Sequence, residues 1–95
     1  MTGREKLEPA RIAGRTYLEC VKCCVDRMLN RGDVGTLRVF CSPYAWESCC
    51  IFLGLERRPY SIEAVENRGI IVTHFFGRLV HIHTREDIEE QEFSF

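Results

Sequence analysis

The sequence predicts an α+β domain: two main helices packed on a small antiparallel sheet of three to four strands that ends in a β-hairpin. Three observations predict it. Apolar residues recur at helical spacing before Arg31, a second apolar stretch lies between Ser42-Pro43 and Gly54, and "GIIVTHFFGRLVHIHT" reads as two β-rich runs around a glycine turn. The chain has 95 residues, enough for one core that buries roughly 65% of its unfolded surface. Without repeats or linkers, residues 1–95 read as a single domain.

The first helix is expected from Pro9 to about Arg31. Proline suits a helix start, and Gly32 in "NRGD" can take the left-handed cap conformation. At about 100° per residue, Tyr17, Leu18, Val21, Cys24, Val25 and Met28 form one apolar stripe, with Glu19, Lys22, Asp26 and Arg27 outside it. "TLRVFC", Thr36 to Cys41, is β-branched and aromatic enough for a short strand. The second helix follows at once, with Ser42 as N-cap, Pro43 at the first helical position and Gly54 as its stop.

Pro59 to Val65 has two readings. "YSIEAV" alternates like a strand, whereas "SIEAVENRG" offers a cap, helix formers and a terminal glycine. In the hairpin, Gly77-Arg78 fits a type II′ two-residue turn. That register sets Phe76 opposite Leu79, Phe75 opposite Val80, His74 opposite His81 and Val72 opposite His83. Ile71, Thr73, Phe75, Val80 and Ile82 then share a core face, and the other face carries His74, His81 and His83, all the histidines of the chain. Thr84 with Asp87 makes a capping box for a short acidic C-terminal helix, whose "EFSF" end is expected to dock by its phenylalanines.

Thirteen basic and fourteen acidic residues leave a net charge of −1, so no global field draws the chain to nucleic acid or to an anionic membrane. The amino terminus is charged where a signal peptide would be apolar, and no run reaches the ~18 apolar residues of a membrane span. A cytoplasmic, intracellular protein is therefore expected, with its six cysteines reduced.

Three of those thiols stand in "CVKCC". On the helix, Cys24 belongs to the core stripe, Cys20 to its rim and Cys23 to the outer side. Cys20 and Cys23 sit in mid-helix, without the N-terminal dipole that makes a Cys-x-x-Cys pair reactive. Small apolar packing is the main expectation for the cysteines. Two alternatives stay open: a zinc site drawing on Cys20 and Cys23 with Cys41 or with Cys49 and Cys50, and a disulfide from Cys20 or Cys24 to Cys49 or Cys50. Cys41 precedes a helix start, but "CSPYAWE" lacks the glycine-rich loop and the arginine of a cysteine phosphatase. No P-loop, dinucleotide fingerprint or nucleophile with base and orienter is apparent, so no catalytic residue is expected and the chain is not read as an enzyme. The histidine face gives a second metal reading, with one zinc ion shared by His74, His81 and His83 and a fourth position open. Its plainer alternative is a wet polar face that protonates near pH ~6.5.

With Pro59–Val65 taken as a helix, "CCIFLGL" and "AVENRGIIVTHFFGRLVHIHT" resemble the turn, recognition helix and wing of a winged-helix DNA-binding domain. The likeness covers about Thr36 to Thr84. It implies a DNA-binding regulator in which Arg57, Arg58 and Arg68 lie near the recognition helix and Arg78 at the wing tip, all contacting phosphates. With the same segment as a strand, the chain reads instead as a protein-interaction module: a regulator or inhibitor of another protein, of the kind that viruses, phages and mobile elements carry as accessory proteins. Phe76, Leu79, Phe93 and Phe95 would then be buried in a homodimer or against a partner. The near-zero net charge fits this second reading, which is the one we carry forward.

Overall fold

A computed structural model describes the backbone of residues 3–65, 68–86 and 93–94 and the side chains of residues 8–64 and 69–86. The elements run α1 (Gly3–Asn30), β1 (Leu37–Cys41), α2 (Pro43–Leu55), β2 (Ser61–Val65), β3 (Arg68–Phe75), β4 (Arg78–Thr84) and β5 (Phe93–Ser94). Two helices on a small sheet with a terminal hairpin make this the expected α+β fold. The sheet has the order β2-β3-β4-β1-β5.

It is mixed rather than all antiparallel, because β1 pairs with β4 in parallel, Val39 facing Ile82. The cause is α2. A helical crossover returns the chain to the starting end of the sheet, so β2 sets out in the same direction as β1, and after the β2-β3-β4 meander β4 does too. Phe93 and Ser94 add the outer strand β5, antiparallel to β1 at Cys41 and Phe40. The expected acidic helix from Asp87 onward lies outside the described residues.

Ser61–Val65 is a strand along its whole length, paired antiparallel to β3 from Ser61↔Val72 to Val65↔Arg68. This corrects the winged-helix reading: the segment that would have to be its recognition helix is β2. Among the described residues, no helix is long and apolar enough to cross a membrane.

The termini of both helices show what local chemistry fixed and where it was overridden. At the end of α1, Gly32 takes φ 86°, its N–H donates to the Leu29 carbonyl and the Asp33 N–H to the Met28 carbonyl, the Schellman arrangement expected of "NRGD". Pro9, however, lies inside α1 and not at its start. At the start of α2, Ser42 Oγ accepts from the Ala45 N–H at 3.1 Å, as an N-cap should. Its C-terminus is not Gly54. The helix continues to Leu55, Glu56 caps it, and Arg57 takes the left-handed conformation at φ 54°. Arg57 N–H donates to the Gly54 carbonyl and Arg58 N–H to the Leu53 carbonyl, so the same motif is closed with arginine in the place that usually belongs to glycine.

The core is one continuous cluster. Tyr17, Leu18, Val21, Val25 and Met28 of α1, and Ala45, Cys49, Phe52 and Leu53 of α2, meet Leu37, Val39, Ile71, Val80 and Ile82 of the sheet. The α1 stripe is the one that the spacing predicted. Gly14 lets the helices close: a Cβ there would run into the Ser48 carbonyl oxygen and lie 2.6 Å from Phe52 Cβ. At the other end of α2, Trp46 lies over Gly69 and its indole N–H donates to the Ile82 carbonyl at 3.1 Å, tying α2 to β3 and β4. Thr73 is buried in the core face with its hydroxyl donating to the Pro59 carbonyl at 2.9 Å, which offsets the cost of burying it.

The hairpin turn is Phe76-Gly77, not Gly77-Arg78. Phe75 faces Arg78, His74 faces Leu79, Thr73 faces Val80 and Val72 faces His81. Both turn residues are left-handed, Phe76 at φ 51° and Gly77 at φ 74°, so the turn is of type I′ and not II′. Type I′ and type II′ turns both suit the twist of the strands, so it is the register, with Phe75 opposite Arg78, that places left-handed backbone on Phe76. The shift changes every cross-strand pair yet keeps each residue on its expected face, because moving the turn by one residue moves the pairing sum by two.

Candidate functional site

Two features of the fold bring side chains together at the hairpin end of the molecule. On α1, Arg15, Leu18, Glu19 and Lys22 are spaced at helical intervals and so lie on one side. Off α2, the left-handed Arg57 turns the chain so that Arg58 stacks its guanidinium 5.1 Å from the centre of the Phe52 ring. Between these two and the hairpin tip lies a groove of about 400 Å³, lined by Arg15, Leu18, Glu19, Lys22, Phe52, Arg58, His74, Phe75 and Phe76.

Its chemistry is divided. Leu18, Phe52 and Phe75 form an apolar floor, the first two buried and the third packed against the core. The rim is cationic: Arg15, Lys22 and Arg58 are all exposed, and none has a carboxylate partner within ion-pair distance among the described residues. Lys22 Nζ sits 5.9 Å from the centre of the Phe76 ring, so two cations of the rim rest on aromatic faces. Glu19 is the one acid among the lining residues.

Other candidates are scattered. Arg58 lies beside the hairpin tip, as does exposed Arg78, which opposes Phe75, while Arg57 is exposed at the end of α2 and does not line the groove. Arg68 begins β3, seven residues from Phe75, about 24 Å along an extended strand. The four arginines therefore do not make one surface. Of the apolar candidates, Phe76 is 56% exposed at the hairpin tip and Leu79 is half-buried on β4. The Phe93 and Phe95 side chains lie outside the described residues.

His81 and His83 are neighbours on β4, with ring centres 6.1 Å apart. His74 belongs to the same face but opposes Leu79 rather than His81. Among the described residues, no three His, Cys, Asp or Glu side chains are placed to hold a metal ion. His83 is instead engaged by β1: its ring lies 5.0 Å from that of Phe40, and its Nε2 is buried without a hydrogen-bond partner among the described residues. That burial, with His81 and Arg38 nearby, holds its pKa below the ordinary value.

All six cysteines are free thiols. Cys23 is exposed, Cys20 and Cys50 are half-buried, and Cys24, Cys41 and Cys49 are buried. Burial pushes the Cys41 thiol up to about 12 and that of Cys50 up to about 11, and it raises Cys49 and Cys24 as well. These four are neutral, space-filling groups at physiological pH. Cys41 also donates to the His83 carbonyl at 3.5 Å.

The groove thus draws on Arg58, His74 and Phe76, which sequence reasoning had assigned to three different roles, and on Arg15 and Lys22, which it passed over. The i, i+7 spacing of Arg15 and Lys22 was the available signal. What the arrangement can do chemically is hold a ligand that presents negative charge to the rim and apolar surface to the floor. No protein-family model, curated protein or solved structure matches the chain.

Proposed function

We propose that the protein is a non-catalytic interaction module that acts by binding another protein, and that it does so with the end of the molecule formed by the hairpin tip and the adjoining groove. The observation that carries this reading is Phe76. A bulky aromatic residue stands at φ 51° in a turn position that favours asparagine or glycine, and it presents its ring to solvent, 56% exposed. Left-handed backbone at such a residue costs on the order of 1 kcal/mol, and exposing the ring forgoes the burial that would offset it. Binding by the ring supplies the missing compensation.

The test places a photo-crosslinking phenylalanine analogue at position 76 in the full chain, with the same analogue at Val34, which is 76% exposed, as the control. A discrete adduct formed from position 76 and not from position 34 is the expected result. Equal labelling from both positions, or none from position 76, would overturn the reading. Light scattering over a concentration series then separates a homodimer from capture of a different protein.

A further inference from the structure

The groove also specifies what kind of partner segment it takes, an inference that rests on the interaction reading above. We infer that it receives an acidic protein segment carrying a bulky apolar anchor, with the anchor against Phe75 and the exposed Phe76 ring and the flanking carboxylates on Arg15, Lys22 and Arg58.

Three observations lead there. First, the three cations have no carboxylate partners among the described residues, and two of them rest on the rings of Phe52 and Phe76 with their charge free to meet a ligand. Secondly, the volume of about 400 Å³ lies at the lower end of the range of ligand clefts, room for an anchor side chain and its immediate neighbours.

Thirdly, the groove does not end at its own walls. A smaller depression of about 170 Å³ shares Leu18, Arg58, His74 and Phe75 with it on one side, and one of about 460 Å³ shares Glu19, Lys22 and Phe76 with it on the other. The two outer depressions have no lining residue in common, so the three stand in a row with the cationic groove in the middle. A row of this kind suits a length of polypeptide better than a compact small anion.

Charge separates an acidic protein segment from a single nucleic-acid strand. Glu19 and Asp26 both line the row, and a strand with a phosphate at every nucleotide would bring charge against them. A polypeptide can space its carboxylates over the cations and leave those two positions to neutral residues.

The test is fluorescence anisotropy of the full chain with a labelled peptide of alternating glutamate and phenylalanine. Peptides with glutamine for glutamate and with alanine for phenylalanine serve as controls, and a single-stranded oligothymidylate is the competing class. Binding should weaken with salt, and it should fall about tenfold in the Arg15→Glu, Arg58→Glu double variant, which replaces two exposed attractions on the rim by repulsions. The Glu19→Lys variant should bind the peptide about threefold more tightly, a gain that a damaged fold cannot imitate. Equal binding of the glutamine peptide, indifference to the double variant, or tighter binding of the oligonucleotide would each overturn the inference. If the peptide fails while the position-76 analogue still gives its discrete adduct, the groove chemistry falls and the interaction reading stands.

Discussion

Gly14 on α1 and Ser48 on α2 lie backbone to backbone at the point where the two helices cross, with no room between them for a Cβ. In an isolated helix, Gly→Ala gains about 1 kcal/mol. Here the new methyl would meet the Ser48 carbonyl oxygen and Phe52 Cβ, both of them part of the α2 framework. Overpacking of this kind costs typically 1–3 kcal/mol. Gly14→Ala should therefore destabilise the protein by about 1 kcal/mol net and lower its Tm by roughly 6 °C, read by thermal denaturation. An unchanged or higher Tm would show that the helices separate at no cost.

Phe76→Asn should act in the opposite direction. Asparagine-glycine is the preferred pair for a type I′ turn, and the exchange relieves strain on the order of 1 kcal/mol, while the cation–ring contact with Lys22 that it removes is worth about 0.5 kcal/mol. The variant should be more stable than the parent by about 0.5 kcal/mol in urea denaturation, and should lose binding at the hairpin end. A variant that is less stable would mean that the ring holds the fold together, and that its exposure calls for no partner.

The thiols should separate by burial under native alkylation at about pH 8. Cys23 reacts first and half-buried Cys20 next. Cys41, with its pKa pushed up to about 12, presents about one part in ten thousand as thiolate at that pH, and it stays unmodified with Cys24 and Cys49 until the chain unfolds. Mass spectrometry of the intact protein after timed quenching resolves the order. Labelling of Cys41 or Cys49 as fast as Cys23 would contradict the packing of β1 against α2.

His83 predicts an acid-side loss of stability. Its folded pKa lies below the ordinary value, so as pH falls through about 6.5 the unfolded chain takes up a proton that the folded chain does not. More protons bound in the unfolded state mean stability that is present above that pH, declines below it, and levels off once the folded residue protonates too. His83→Phe should flatten this part of the stability curve, followed by urea denaturation at stepped pH. The ring remains against Phe40 in that variant, and the charge next to His81 and Arg38 cannot form.

Local chemistry alone determined the apolar stripe of α1, the Gly32 cap, the Ser42 cap and the assignment of each hairpin residue to its face. Each follows from spacing or from one side chain acting on its own backbone. Tertiary structure decided the rest. Pro59–Val65 has credentials for both helix and strand, and it became β2 because the edge of β3 was there to pair with it. The parallel seam between β1 and β4 depends on the return path of α2, which no local pattern encodes. The turn lies at Phe76-Gly77 because β3 and β4 pair with Phe75 opposite Arg78, a register that leaves those two residues to span the gap. The groove is the clearest case. Arg15 and Lys22 on one helix, Phe52 and Arg58 at the end of another, and Phe76 on a hairpin are brought together only by packing between elements far apart in the chain.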